Sequence, residues 1–287
     1  MASDEVSKEE MLHEAKTMAK ITRNVNIVNL QGICEHQNQV FLLLEFCHLG
    51  SVESFLKNNA DHYSQCIAKN DFQFLIKCCS QVAAGMEFLV EKEIIHGDLG
   101  ARNILITNDM TIKIADFGLS HRMYMQQGAS KGPKTKKVPV QNSAIEILRA
   151  DHALLESSDV WSFGVYMWEI FLLCLARPYF GVPNGKILNI MLMHIDNYIS
   201  FSGITGLHEH LERGNRLEKP ELCPYEIYGI MTDCWRRNPM ERPTFQRLKL
   251  RLEAFNAPVN VHDPEIRPEA FNPPVNVQKF ESYESYR

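Results

Sequence analysis

Apolar side chains along this chain follow two periods. Between residues 8 and 20, Met11, Ala15 and Met18 fall at i, i+4 and i+7 with charges between them, which predicts an amphipathic helix. Two short apolar runs follow, Ile27 to Ile33 and Val40 to Phe46, on either side of the polar stretch Glu35 to Gln39. They read as a hairpin or as two neighbouring strands. From Asp71 to Glu91 the positions Phe72, Leu75, Ile76, Cys79, Val82, Ala83, Met86 and Leu89 step by three and four, the mark of a long amphipathic helix. Short strands are expected around Asn103 to Ile106 and Thr111 to Ala115, then a polar stretch to Val138. The remainder, to about Glu253, is helical in pattern.

The tail, 255–287, differs. Glu253 to Val261 reads EAFNAPVNV and Glu269 to Val277 reads EAFNPPVNV, a duplication at a spacing of 16 residues. Two proline-punctuated copies cannot stack into a solenoid, so the segment reads as a duplicated, largely disordered linker. The alternative is a docking motif, in which Tyr283 and Tyr286, each preceded by Glu-Ser, accept phosphate and recruit phosphotyrosine-binding partners.

Composition narrows the class. The 287 residues are 45% hydrophobic and 23% charged, which excludes disordered, collagenous and coiled-coil chains. A net charge of −5 lacks the basic excess of a nucleic-acid binder, so no nucleic-acid partner is expected. The eight cysteines lack zinc-site spacing and read as reduced thiols of a cytosolic protein. The acidic start Met1-Ala2-Ser3-Asp4-Glu5 is not a leader peptide, and the most apolar stretch, Val160 to Ala176, is short and broken by Glu169.

The decisive run is Ile95-His96-Gly97-Asp98-Leu99-Gly100-Ala101-Arg102-Asn103, followed by Asp116-Phe117-Gly118. It brings three oxygen side chains, those of Asp98, Asn103 and Asp116, to adjacent loops at strand ends. Phosphoryl transfer needs such a set: one carboxylate orients the acceptor hydroxyl and takes its proton, while a carboxylate and an amide hold a hard cation against the phosphates.

With these motifs in order, residues from about Glu9 to Glu253 resemble a protein kinase catalytic domain, of the tyrosine kinase branch and most like receptor-type members. Leu12-His13-Glu14-Ala15 is similar to the family's C-helix with its glutamate, Asn26-Ile27-Val28 to the entry of its fourth strand, and Leu43-Leu44-Glu45-Phe46-Cys47 to its fifth strand, gatekeeper and hinge. Ala84 to Leu89, Ser158 to Gly164, Cys234-Trp235 and Glu241 to Phe245 resemble helices of the large lobe. The Ala101-Arg102-Asn103 ending, in place of a lysine-bearing loop, points to tyrosine. The implied fold is α+β: a two-lobe kinase with a mostly helical large lobe (48–254) and an incomplete small lobe (1–47).

The resemblance implies roles. Asp98 is the expected catalytic base, Asn103 and Asp116 the Mg²⁺ ligands, and Arg102 a loop residue near the acceptor tyrosine. For ATP, Glu45 and Cys47 present backbone groups to adenine, Leu44 is the gatekeeper and Leu105 lies under the ring. Met18, His96 and Phe117 are expected to stack, Asp159 to support the catalytic loop, and Arg242 to pair with Glu146. Implied partners are ATP and protein tyrosine substrates. The domain belongs on the cytosolic side, with a complete product at the plasma membrane.

Departures are as informative. The family's glycine-rich loop and the strand lysine that pairs with Glu14 do not occur in the thirteen residues before it. Loss of one such electrostatic group costs on the order of 10²–10³ in rate. Gly97 stands where the family has an arginine that clasps a phosphorylated loop. Tyr124 matches that loop's first tyrosine, but the later, principal position falls near Ala129 or Ser130. Ala144-Ile145-Glu146 replaces Ala-Pro-Glu, and Asn142 replaces a tryptophan of the substrate platform. Deleting Ile187 to Gly206 restores the family's run without a gap. These twenty residues read either as translated non-coding sequence or as a true insertion. The expected function is tyrosine phosphorylation. A pseudokinase binding module and a non-functional fragment are the alternatives.

Overall fold

The computed structural model describes residues 11–12, 14–21, 23–36, 39–122, 139–148, 154–179 and 201–256. The duplicated tail, Tyr124 and the stretch 187–200 lie outside them.

Residues 14–18 are helical, with Ala15 and Met18 buried as the apolar spacing requires. The two apolar runs form strands β1 (Leu30–His36) and β2 (Gln39–Leu44), antiparallel from Leu30↔Leu44 to His36↔Gln39. Ile33, Phe41, Leu43 and Phe46 are exposed here, so this hairpin keeps apolar surface in contact with water. Helices α1 (Val52–Asn58) and α2 (Ala60–Ala68) follow, neither of them expected from the apolar pattern. Ser51 starts α1 by accepting the Ser54 N–H at 3.1 Å through its hydroxyl, with Glu53 in the first turn and Lys57 in the last to match the helix dipole.

Helix α3 (Gln73–Glu91) is the long amphipathic helix, and its stripe of Leu75, Ile76, Cys79, Val82, Ala83, Met86 and Leu89 is buried. Three short strands lead to and past the loop 96–103: β3 (Ile94–Ile95), β4 (Ile104–Ile106) and β5 (Ile112–Ile114), with β4 and β5 antiparallel. A two-residue strand β6 (His121–Arg122) pairs with β3. Helix α4 (Glu156–Phe171) is buried almost all round, as a helix at the centre of a large domain must be. Helices α5 (Phe201–Glu212), α6 (Tyr225–Cys234) and α7 (Phe245–Asn256) complete the described chain. Helix α5 runs without interruption across the suggested junction at Gly206–Leu207.

One apolar core joins α1, α3, α4, α6 and α7 with strands β4 and β5. Arg242 ties it to the segment 139–148: its Nη1 and Nη2 donate to Glu146 Oε1 and Oε2 at 2.7 and 2.8 Å, and its guanidinium lies over the Trp161 ring. The Arg216 guanidinium also lies over that ring, 4.9 Å from its centroid.

Candidate active site

The first part of the loop between β3 and β4 is held from below by Asp159. Asp159, buried near the start of α4, accepts the His96 N–H at 2.7 Å with Oδ2 and the Gly97 N–H at 2.9 Å with Oδ1. Two adjacent N–H groups can converge on one carboxylate here because Gly97 takes φ +79°, which favours glycine. A Cβ at this position would lie 3.1 Å from the Leu119 carbonyl oxygen.

His96 is wholly buried, and the Asp98 N–H lies 3.2 Å from its Nδ1. An N–H can only donate, so Nδ1 accepts, and the ring proton sits on Nε2, 3.0 Å from the Ala115 carbonyl. Burial lowers the His96 pKa, in keeping with this neutral form. The ring packs on Phe117 with centroids 5.3 Å apart, and Met18 is buried in the same core. The described residues thus bring His96 and Phe117 together as expected.

Asp98 is buried in the loop. Arg102 Nη2 pairs with its Oδ1, and Asn103 Nδ2 donates to its Oδ2 at 3.0 Å and to its backbone carbonyl at 2.8 Å. Burial pushes the Asp98 carboxyl up to about 6, against the pull of Arg102 and Asn103. Beneath the loop, Glu169 of α4 accepts the Ala101 N–H at 3.0 Å, and burial pushes the carboxyls of both Asp159 and Glu169 up to about 7.

Asp116 is exposed and takes φ +63°, unusual for a residue with a Cβ, while its Oδ1 accepts the Gly118 N–H at 3.2 Å. Strained backbone at a chemically charged residue is a recurrent mark of functional sites. Asn103 uses Nδ2 toward Asp98, so the acceptor Oδ1 is what its side chain offers a cation. One carboxylate and one amide oxygen suit Mg²⁺, which keeps several waters and takes phosphate oxygens as its other ligands. Among the described residues, no group of three or more His, Cys, Asp and Glu side chains could hold a metal by itself. Glu14, on the helical segment 14–18, also reaches this region: a Cβ on Gly118 would lie 4.0 Å from its Oε2.

On the hinge side, Cys47, Val28 and Ala115 form a small buried cluster with Leu105 packed against it. Gly50 and Leu49 clamp this stretch to β4, the Leu49 N–H donating to the Ile106 carbonyl at 3.1 Å and the Ile106 N–H to that of Gly50 at 2.9 Å. Leu44 is 39% exposed at the end of β2. The Glu45 side chain turns inward, where Lys113 Nζ lies 2.7 Å from its Oε1 and Asn29 donates to both oxygens at 3.0 Å. Burial alone would raise the Glu45 carboxyl, but Lys113 and Asn29 outweigh it and hold it below its ordinary value. Sequence reading passed over Lys113. Its signal was a charged residue between Ile112 and Ile114, where an apolar side chain would be ordinary.

A family model described as protein tyrosine and serine/threonine kinase matches residues 1–252. The chain belongs to this kinase family. The kinase is 35% identical over 263 residues to fibroblast growth factor receptor 1 of Pleurodeles waltl and 34% over 250 residues to that of Xenopus laevis. It is 37% identical over 251 residues to the tyrosine-protein kinase transforming protein RYK of avian retrovirus RPL30. These alignments cover 86%, 83% and 85% of the kinase but 29%, 28% and 51% of the three relatives, so the chain spans only part of their length. No helix among the described residues is long and apolar enough to cross a membrane.

Proposed function

We propose that this kinase domain transfers the γ-phosphate of ATP to protein tyrosine and descends from a receptor-type line, its domain lying on the cytosolic face of the membrane. The observation that carries this is the Asp98 carboxylate, buried and fixed on both oxygens by Arg102 and Asn103. Asp98 takes the acceptor proton, Arg102 holds that carboxylate in line and stands where the tyrosine docks, and Asn103 and Asp116 hold the cation. ATP with Mg²⁺ supplies the transferable phosphoryl group and neutralises charge on it. Backbone groups of Glu45 and Cys47 receive adenine, with Leu44 beside it and Leu105 beneath. Tyr283 and Tyr286 are proposed phosphate acceptors that recruit phosphotyrosine-binding partners.

A second reading, a binding module without phosphotransfer, is favoured by two substitutions inside the chain: Gly97 stands where the resemblance places a clasping arginine, and Asn142 where it places a tryptophan of the substrate platform. Phosphotransfer to a poly(Glu,Tyr) substrate, run on this chain and on a form extended by the upstream coding sequence, separates the two. Transfer abolished by Asp98→Asn supports the kinase. Stabilisation by Mg²⁺-ATP without transfer in both forms supports the binding module.

A further inference from the structure

Gly100 in the loop between β3 and β4 and Asn142, which stands where the resemblance places a tryptophan, meet in space. Gly100 takes φ −173° and ψ 164°, an extended conformation open to any residue, so backbone freedom does not explain a glycine there. Space does. A Cβ on Gly100 would lie 2.9 Å from Asn142 Nδ2, 3.0 Å from Arg102 Nη1 and 3.6 Å from Glu169 Oε2. The Arg102 tip is the end of a flexible side chain and can retreat. Asn142 cannot retreat so readily, for it is 3% exposed and held on three sides. Its Nδ2 donates to the Leu99 carbonyl at 3.2 Å, its carbonyl accepts the Ser162 hydroxyl at 2.8 Å, and its N–H donates to the Pro139 carbonyl at 3.0 Å.

We propose that Gly100 and Asn142 work as one matched pair, in which Asn142 is a positioning residue that fixes the Leu99 carbonyl and, through it, Asp98 and Arg102. The pair joins the segment 139–146 to the catalytic loop by one buried hydrogen bond in place of a packed ring. The missing Cβ at position 100 admits the amide to the loop and leaves the Arg102 guanidinium its path to Asp98. This inference rests on the phosphotransfer reading for its kinetic consequence, but the coupling between the two residues does not.

The test is a double-mutant cycle in the full chain with Gly100→Ala, Asn142→Ala and both together. Thermal midpoints are measured for all four proteins, and phosphotransfer to poly(Glu,Tyr) for those that transfer. Gly100→Ala alone is expected to lower the midpoint and to cut kcat by about tenfold or more, with the KM for ATP within about twofold, because a misplaced base affects the chemical step. In the Asn142→Ala background the added methyl meets only the flexible Arg102 tip and an ordinary contact with Glu169, and its effect is expected to shrink to less than about twofold. Equal effects of Gly100→Ala in both backgrounds, in midpoint and in kcat, overturn the pairing. A coupled midpoint with an uncoupled kcat overturns the positioning role. If neither the parent chain nor its extended form transfers phosphate, the proposed function fails, and the midpoint cycle alone still upholds or overturns the pair.

Discussion

Asp98 has neighbours that pull its proton affinity in opposite directions. Burial and the nearby Asp116 raise it, and Arg102 and Asn103 lower it, with burial prevailing to give a value of about 6. A general base works as the carboxylate. Because the pKa lies above that of a free aspartate, the active form is present above about pH 6 and lost as the pH falls through it. The kcat/KM for tyrosine substrate is therefore expected to decline on the acid side with a midpoint near 6, approaching about tenfold per pH unit below it; a profile flat to pH 5 would exclude Asp98 as the base. Asp98, Asn103 and Asp116 could be picked out in the sequence because the proposed phosphoryl transfer calls for those side chains at that spacing. Gly100 and Lys113 were not, because each takes its meaning from a residue far along the chain: Asn142 for the first, Glu45 for the second.

At the scale of elements, α3 and α4 were the most legible. A long helix with a buried stripe writes a period of three and four into the sequence, and α3 lies where that pattern placed it; α4, buried almost all round, was marked instead by the run Ser158 to Gly164. Helices α1 and α2 were missed. They are short and bury few side chains, Val52 and Leu56 in α1 and Ile67 in α2, and so offer few apolar positions to read. Strands β3 and β6, two residues each, are too short to show alternation at all. Helix α5 bears on the extra twenty residues. Among its described side chains the deeply buried ones, Leu207 and Leu211, both lie after the suggested junction, while Thr205 is exposed. Removing 187–206 is thus expected to leave those anchors in place and the thermal midpoint within a few degrees of the parent. A deletion variant that is recovered only unfolded would make the segment a structural part of the domain.

Across the whole molecule, a few side chains join distant parts of the chain. The Arg242–Glu146 pair spans 96 positions, and the Arg242 side chain is fully enclosed and also donates to the Ser157 carbonyl at 2.7 Å. Glu146→Gln leaves a buried guanidinium without its countercharge and is expected to cost about 3–5 kcal/mol, read as a lowered midpoint in urea unfolding. Glu146→Asp should cost less. The distribution of sulfur has a practical consequence of its own. Of eight free thiols, Cys34 is exposed and Cys66 partly so, while the other six are buried, and burial raises the pKa of Cys78, Cys79, Cys174, Cys223 and Cys234 well above that of a free thiol. Alkylation with iodoacetamide followed by intact mass is thus a census of the native state: folded molecules gain one adduct quickly and a second slowly, and unfolded molecules gain eight. The difference between those masses makes the chain its own reporter of folding, readable before any assay for phosphate is attempted.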